Sequence, residues 1–80
     1  MTGQAREVEE KCLRIYRKAM GVPALLSTDE FAHAGGDSVK AVLIATELET
    51  EFGVEIPMAT FFEQKTVAAM SDWLTAAARS

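Results

Sequence analysis

Apolar residues recur at helical spacing over the first part of the chain. Between about Ala5 and Met20 they stand three or four positions apart, as on one face of an amphipathic helix. This stripe consists of Val8, Cys12, Ile15, Tyr16 and Ala19. Glutamates come early and arginines and lysine come late, an order that suits the helix dipole. We predict a first helix capped by Gly21, because Pro23 prevents its continuation.

Three more helices are predicted from the same kind of pattern. The second spans about Ser38–Phe52, with Asp37 as its N-cap and Gly53 as its C-cap. A short third helix is expected at Met58–Glu63, and the last begins near Thr66. No segment indicates a convincing strand. The predicted fold class is all-α, a small four-helix bundle with three long helices and one short helix.

The connection between the first two helices, residues 21–37, is long and contains several turn-forming residues. Ser27–Glu30 fits a capping-box pattern and is expected to start a single turn. Leu25, Leu26 and Phe31 are expected to hold this loop against the core.

The second helix has more apolar residues than a single buried stripe accommodates. The stripe expected in the core consists of Ala41, Ile44, Ala45, Leu48 and Phe52. Helical geometry turns Val39, Val42 and Leu43 toward the flank or the solvent, close to Ser38. Isolated apolar residues are normal on a protein surface. A small docking patch is the alternative interpretation.

Length and composition favour one soluble domain spanning residues 1–80. The chain has 80 residues, of which 49% are hydrophobic, well above a disordered composition. No apolar run approaches the roughly 18 residues of a membrane span, and the N-terminus lacks the apolar region of a signal peptide. Cys12 is the only cysteine, so it forms no intramolecular disulfide. We therefore expect a cytoplasmic protein.

The net charge of −4 lies in the second half of the chain. Residues 1–40 carry six basic and six acidic side chains, whereas residues 41–80 carry two basic and six acidic ones. An acidic half repels phosphate backbones, which argues against a nucleic-acid partner. It favours proteins with basic docking patches.

One constellation between the first two helices is Ala34-Gly35-Gly36-Asp37-Ser38-Val39. Gly35 and Gly36 lack a Cβ and would let the backbone of another molecule approach closely. Ser38 is expected to project its hydroxyl outward from the first helical turn, behind the Asp37 cap. Free N–H groups and the helix dipole favour an anion there, so a phosphodiester on Ser38 would be suitably placed. An ordinary loop with an N-cap is the alternative that these residues alone leave open.

The sequence gives little indication of a catalytic or a metal-binding site. A nucleophilic Ser38 would need a base and an orienting group, for which the sequence offers His33 and Asp37. The surroundings are not a G-x-S-x-G elbow, so His33 is expected to be an ordinary loop residue and no enzyme is predicted. Cys12 and His33 have no spaced companion ligands, and no metal site is expected. Cys12 is expected to be a small buried hydrophobe.

The wider order of motifs strengthens the signal at the serine. Phe31 precedes Gly35–Ser38, and after the second helix come Phe52–Pro57, Phe61–Glu63 and Thr66–Val67. This order resembles the phosphopantetheine-dependent carrier-protein family, most closely the peptidyl carrier (thiolation) domains of nonribosomal peptide synthesis. Those domains look like Gly-Gly-Asp/His-Ser-Leu, then Phe-Gly-Val-x-Ile-Pro, then Phe-Phe/Glu and Pro-Thr-Val.

The resemblance implies an acyl-carrier-protein-like bundle that carries 4'-phosphopantetheine covalently on Ser38. Asp37, Gly36 and Gly35 would form the surroundings of the attachment site. The thiol of the arm would hold an aminoacyl, peptidyl or acyl group as a thioester, and the carrier itself would catalyse nothing.

The same resemblance implies partner enzymes. A phosphopantetheinyl transferase would attach the arm from coenzyme A, an adenylating or acyl-loading enzyme would supply the cargo, and condensation or tailoring enzymes would receive it. With this resemblance the docking interpretation of the second helix is favoured. The expected docking residues are Val39, Val42, Leu43 and Lys40. We expect a monomer with no nucleic-acid or membrane partner.

Three positions depart from the family pattern, and none removes the attachment site. Ala34 and Val39 stand where the family usually has Leu, and Lys65 stands where Pro usually precedes Thr-Val. An acyl carrier of fatty-acid or polyketide type is the nearest alternative, although Gly36 and Lys40 depart from that type. An unmodified helical adaptor is an alternative of a different class. A chain that begins at Met1 is expected to be free-standing, although a domain excised from a larger synthetase would look the same.

Overall fold

The computed structural model describes residues 2–79, with side chains from residue 5 to residue 78. Four helices lie in this range: α1 (Thr2–Met20), α2 (Ser38–Phe52), α3 (Met58–Glu63) and α4 (Val67–Arg79). An isolated antiparallel bridge joins Glu30 to Thr66. The prediction of a four-helix all-α fold with one short helix is confirmed. Met1 and Ser80, the ends of the predicted domain, lie outside the described residues.

Glycines end the first two helices as the sequence predicts. Gly21 has a φ of 69° and Gly53 a φ of 66°, the left-handed conformation that glycine adopts without a Cβ penalty. After α1, the Val22 N–H donates to the Arg17 carbonyl at 3.1 Å, which closes a Schellman-type turn. After α2, the Gly53 N–H donates to the Glu49 carbonyl at 2.8 Å. Local sequence therefore determines both helix ends.

The core draws on every helix and on the long loop. The largest fully buried side chains are Tyr16, Phe61, Leu25, Ile44, Leu48, Met70, Leu74, Val67 and Cys12. The predicted faces of α1 and α2 are confirmed at their centres, while Ile15 and Phe52 are only partly buried at the edge of the core.

One predicted loop anchor is wrong. Leu25 and Phe31 are buried, but Leu26 is 57% exposed. The Leu26 N–H donates to Asp29 Oδ2 at 2.8 Å, and the Leu26 carbonyl accepts from the Asp29 N–H at 3.0 Å. These bonds close a tight turn at the predicted capping box. Leu26 therefore lies on the outside of a turn, whereas Leu25 remains in the core.

The loop of residues 21–37 is bonded to both α1 and the start of α4. Arg17 Nε donates to the Leu25 carbonyl at 2.8 Å. The Phe31 N–H donates to the Lys65 carbonyl at 2.8 Å, and the Ala68 N–H donates to the Ser27 carbonyl at 3.0 Å. These bonds satisfy backbone groups that a long connection would otherwise leave unpaired. The loop consequently holds a defined course into the start of α2.

Four aromatic rings join this loop to α1 and α3. Phe61 stacks on Tyr16 with ring centroids 6.0 Å apart and meets Phe31 edge-on at 5.2 Å. Phe62 remains 49% exposed, so Phe61 is the member of the pair that enters the core. The buried Tyr16 hydroxyl makes no hydrogen bond among the described residues. Within residues 2–79, no helix has the length and apolar character needed to cross a membrane.

Candidate functional site

Ser38 is the first residue of α2, and its side chain is exposed. Asp37 precedes it in an extended conformation, with φ −143° and ψ 179°. Asp37 Oδ1 accepts a hydrogen bond from the Lys40 N–H at 2.8 Å, and the Asp37 carbonyl accepts from the Ala41 N–H at 2.9 Å. Asp37 is therefore the predicted N-cap. Across residues 2–79, no hydrogen bond engages the Ser38 hydroxyl. The hydroxyl is therefore free, while the Asp37 cap closes the helical turn that carries it.

The loop in front of Ser38 closes on Phe31. The Gly36 N–H donates to the Phe31 carbonyl at 2.9 Å, and the Ala34 N–H donates to the Glu30 carbonyl at 3.0 Å. A Cβ on Gly36 would lie 2.5 Å from the Phe31 ring, closer than real Cβ contacts. A neighbour within this chain, the Phe31 ring, therefore requires glycine at position 36. The sequence did not show this contact, since it closes across five residues of irregular backbone.

Gly35 differs from Gly36 because a side chain there would meet open space. Its φ of 98° favours glycine, and a Cβ built there would meet nothing within 4 Å. Lys40 Nζ donates to the Gly35 carbonyl at 3.0 Å, which joins the first turn of α2 to the loop. The side chain of Lys40, a residue that the sequence predicts for docking, is thus bonded to the loop beside Ser38.

The apolar residues left over from the core of α2 lie around Ser38. Val39 is 70% exposed, Val42 51% and Leu43 53%. Together with Ser38 these residues line an open depression of about 380 Å³. The sequence predicted that they would lie outside the core, and this is confirmed. We call Val39, Val42 and Leu43 the α2 patch.

Among the described side chains, no hydrogen bond joins Ser38 to His33 or to the carboxylate of Asp37. His33 is highly exposed, and its Nδ1 lies 3.8 Å from Glu30 Oε1. The carboxylate of Asp37 is engaged in the helix cap. No cluster of three metal-ligating side chains occurs in the part of the chain that the structure describes.

Cys12 is fully buried, as predicted. Burial, with a smaller contribution from the Glu9 carboxylate, raises the pKa of its thiol from 9.0 to about 12. The thiol is therefore protonated and unreactive near neutral pH. Burial likewise raises the pKa of Tyr16.

Comparisons with known proteins point to a single family. Residues 11–74 match the family described as a phosphopantetheine attachment site. The polyketide synthase PksN of Bacillus subtilis (strain 168) is 35% identical over 71 residues, which cover 89% of this chain and 1% of that protein. Tyrocidine synthase 3 of Brevibacillus parabrevis is 33% identical over 67 residues, which cover 84% of this chain and 1% of that protein. The chain thus spans a very small part of these curated relatives.

Solved structures share the fold. BlmI, described as a type-II acyl carrier protein from Streptomyces verticillus involved in bleomycin biosynthesis, superposes with a TM-score of 0.89 and 27% identity. The match covers 94% of this chain and 90% of BlmI. A structure of the phosphopantetheine transferase Sfp with coenzyme A and a peptidyl carrier protein matches with a TM-score of 0.82 and 30% identity. That match covers 86% of this chain and 90% of the matched chain.

Proposed function

This chain belongs to the phosphopantetheine attachment-site family, and we propose that Ser38 is the residue that carries the arm. The chain is a carrier domain of the type found in nonribosomal peptide and polyketide synthases, and it is not itself an enzyme. One observation supports Ser38 above all. Its exposed hydroxyl stands free at the first position of α2, on an open depression. Ser71, by contrast, is buried and donates to the Ala68 carbonyl.

The surroundings of Ser38 fit a phosphopantetheine group. A phosphodiester there would lie beside the first N–H groups of α2, which have no intrahelical acceptor and favour an anion. Asp37 orders this turn, and the open space at Gly35 leaves room on the loop side. When bound, the group supplies a thiol that holds the cargo as a thioester. The residues of this chain present that group and keep its attachment point in solvent.

Mass spectrometry after incubation with coenzyme A and a phosphopantetheinyl transferase tests the assignment. Wild-type protein should gain the mass of one arm, and Ser38→Ala should gain none while melting at the wild-type temperature. Ser27→Ala is the matched control, because Ser27 accepts its hydrogen bond from Ala68 through the backbone carbonyl. A Ser38→Ala protein that still gains the mass would refute the proposal. A wild-type chain that never gains it would favour the unmodified adaptor.

For the cargo, we propose an aminoacyl or peptidyl group. The support is the order of motifs around Ser38 and the similarity to tyrocidine synthase 3. The second candidate is an acyl group of polyketide or fatty-acid type, favoured by the similarity to PksN. Holo protein should be offered to amino-acid adenylating enzymes and, in parallel, to acyl-loading enzymes. Thioester formation only with the acyl-loading enzymes would establish the second candidate.

Partner enzymes are proposed to dock on the α2 patch. Any enzyme that reaches Ser38 must pass close to these three exposed side chains, since all of them line the same depression. Apolar contact there would supply affinity, while Lys40 and the exposed Glu47 would set orientation. Because the loop, the serine and the patch all come from one chain, no second copy is needed, and we propose a monomeric carrier folded as one domain.

Charge substitution on the patch tests docking. Val42→Asp and Leu43→Asp should each slow arm attachment and cargo transfer while leaving the melting temperature unchanged, because neither side chain is in the core. Ala5→Asp, an exposed change on α1 outside the depression, is the control and should retain wild-type rates. Unchanged rates in both patch variants would show that the α2 patch is ordinary surface.

A further inference from the structure

A second groove lies on α1, apart from the Ser38 depression, and shares no lining residue with it. It has a volume of about 680 Å³ and follows the C-terminal half of the helix into the first turn of the loop. Its walls are formed by Glu10, Leu13, Arg14, Arg17, Lys18, Gly21 and Pro23. The six residues from α1 and its C-cap recur at helical spacing, so the groove follows one face of α1 for about 16 Å.

Three cations line this groove without an acidic partner. Arg14, Arg17 and Lys18 stand at positions i, i+3 and i+4 of α1, on neighbouring sites of the helix surface. None of them forms an ion pair within the described residues, whereas Lys11 pairs with Glu51. The concentration of positive charge is notable on a chain whose net charge is −4.

The groove is partly preorganised and has an apolar floor. Arg17 Nε donates to the Leu25 carbonyl at 2.8 Å, which fixes that guanidinium at the edge of the groove. Leu13 and Pro23 supply apolar surface next to the cations. An arginine held in place loses less conformational entropy on binding than a free side chain does. Apolar surface beside fixed charges is the composition of a protein interface.

We infer that this groove docks an acidic amphipathic segment of a partner protein, whose carboxylates meet Arg14, Arg17 and Lys18 and whose apolar side chain contacts Leu13. Leu13 and Pro23 place apolar surface beside the clustered cations, and this matches an amphipathic peptide better than a compact anion, which has no apolar surface to bury. Glu10 lines the opposite end of the groove and repels carboxylates there, so the bound carboxylates lie toward the C-terminus of α1. This docking surface is independent of Ser38 and leaves the α2 patch open.

Nitrogen-15 NMR of the full chain tests this inference with a defined probe. The probe is a capped helical peptide of about 14 residues, long enough to cover about 21 Å, with leucines every third or fourth position and glutamates between them. Amide shifts should cluster at the groove and leave the α2 patch unaffected. A peptide with lysine in place of every glutamate is the matched control and should not bind.

Charge reversal then tests the contacts. The Arg14→Glu, Lys18→Glu double variant should bind the acidic peptide at least about tenfold more weakly, because opposed charges become like charges. Lys65→Glu, an exposed charge reversal outside α1 and the groove, should bind as wild type does. Melting temperatures of all variants establish that they are folded. The inference is overturned if the peptide causes no groove shifts, if the double variant binds equally well, or if inorganic phosphate alone reproduces the shifts at the same concentration.

Discussion

At the scale of single residues, the loop before Ser38 can pack against the Phe31 ring only because residue 36 is glycine. The space that a Cβ would need is filled by the Phe31 ring, which itself meets Phe61 edge-on in the core. The attachment loop is thereby held against the aromatic cluster by a position where only glycine fits. A change at Gly36 must move either the ring or the loop.

Gly36→Ala should lower the free energy of unfolding by about 1–3 kcal/mol, the usual cost of forcing extra volume into a packed site. In a Phe31→Leu background the same change should cost less, because the obstructing ring is absent. Urea unfolding of the four proteins in this cycle measures both costs. Equal costs in the two backgrounds would show that the ring does not restrict position 36.

The burial of Cys12 makes the free energy of unfolding decrease at alkaline pH. The pKa of its thiol rises from an ordinary value of 9.0 to about 12 in the folded protein, chiefly because of burial. Above pH 9 the unfolded chain loses this proton while the folded chain keeps it, so deprotonation favours unfolding. The stabilisation is complete below pH 9 and is lost as the pH rises toward 12.

Cys12→Ala should therefore show a shallower decline of unfolding free energy between pH 9 and pH 11 than the wild type. Tyr16 shifts in the same direction and leaves part of the slope in place. Urea titrations at each pH supply the slopes, and Leu13→Ala, a neighbour without a titrating group, should keep the wild-type slope. The same slope in Cys12→Ala and wild type would contradict a raised pKa of the Cys12 thiol in the folded protein.

At the scale of elements, the start of α2 determines how Ser38 is presented. Asp37 closes the first turn through the Lys40 N–H, and Lys40 returns to the Gly35 carbonyl through its side chain. The helix start and the loop therefore support each other on either side of the serine. Loss of the cap should loosen the first turn before it affects the rest of the bundle.

Asp37→Ala should cost about 0.5–2 kcal/mol of stability and slow the modification of Ser38, because the first turn frays without its cap. Asp37→Asn retains a capping oxygen and should stay close to the wild type in both respects. Urea unfolding and the rate of arm attachment are the two measurements. If alanine and asparagine behave alike, capping is not the role of residue 37.

At the scale of the whole molecule, one face of α2 packs in the core and another face is exposed beside Ser38. Leu48 is fully buried, whereas Leu43 on the same helix is 53% exposed beside Ser38. The two leucines have the same chemistry and the same helical propensity, so burial alone distinguishes them. Truncating each of them in turn therefore measures how much burial in the core contributes to the free energy of unfolding.

Leu48→Ala should cost about 2–5 kcal/mol, since it removes buried methyl groups and leaves a cavity. Leu43→Ala should stay within about 0.5 kcal/mol, as surface changes usually do. Chemical unfolding of both variants provides the comparison. A loss below about 1 kcal/mol for Leu48→Ala would mean that the buried face of α2 has been assigned to the wrong side.

What the sequence determined by itself is local. The bounds of α2, its Asp37 cap and the left-handed glycines at positions 21 and 53 all follow from neighbours within one helical turn. The exposure of the α2 patch also follows, because helical periodicity allows only one stripe to face the core. The family resemblance at Ser38 rests on the same kind of short, ordered motifs.

The tertiary structure alone decided which of two similar neighbours is buried and which surfaces meet. Leu25 enters the core and Leu26 does not, because a turn closed by Asp29 lies on the outside of the loop. Phe61 is buried and Phe62 half-exposed, because Phe61 is the ring of this pair that stacks on Tyr16. The Gly36–Phe31 contact likewise depends on the course of an irregular loop, for which the sequence has no period. Such outcomes require the positions of partners distant in the chain, and these are established only when the whole bundle packs.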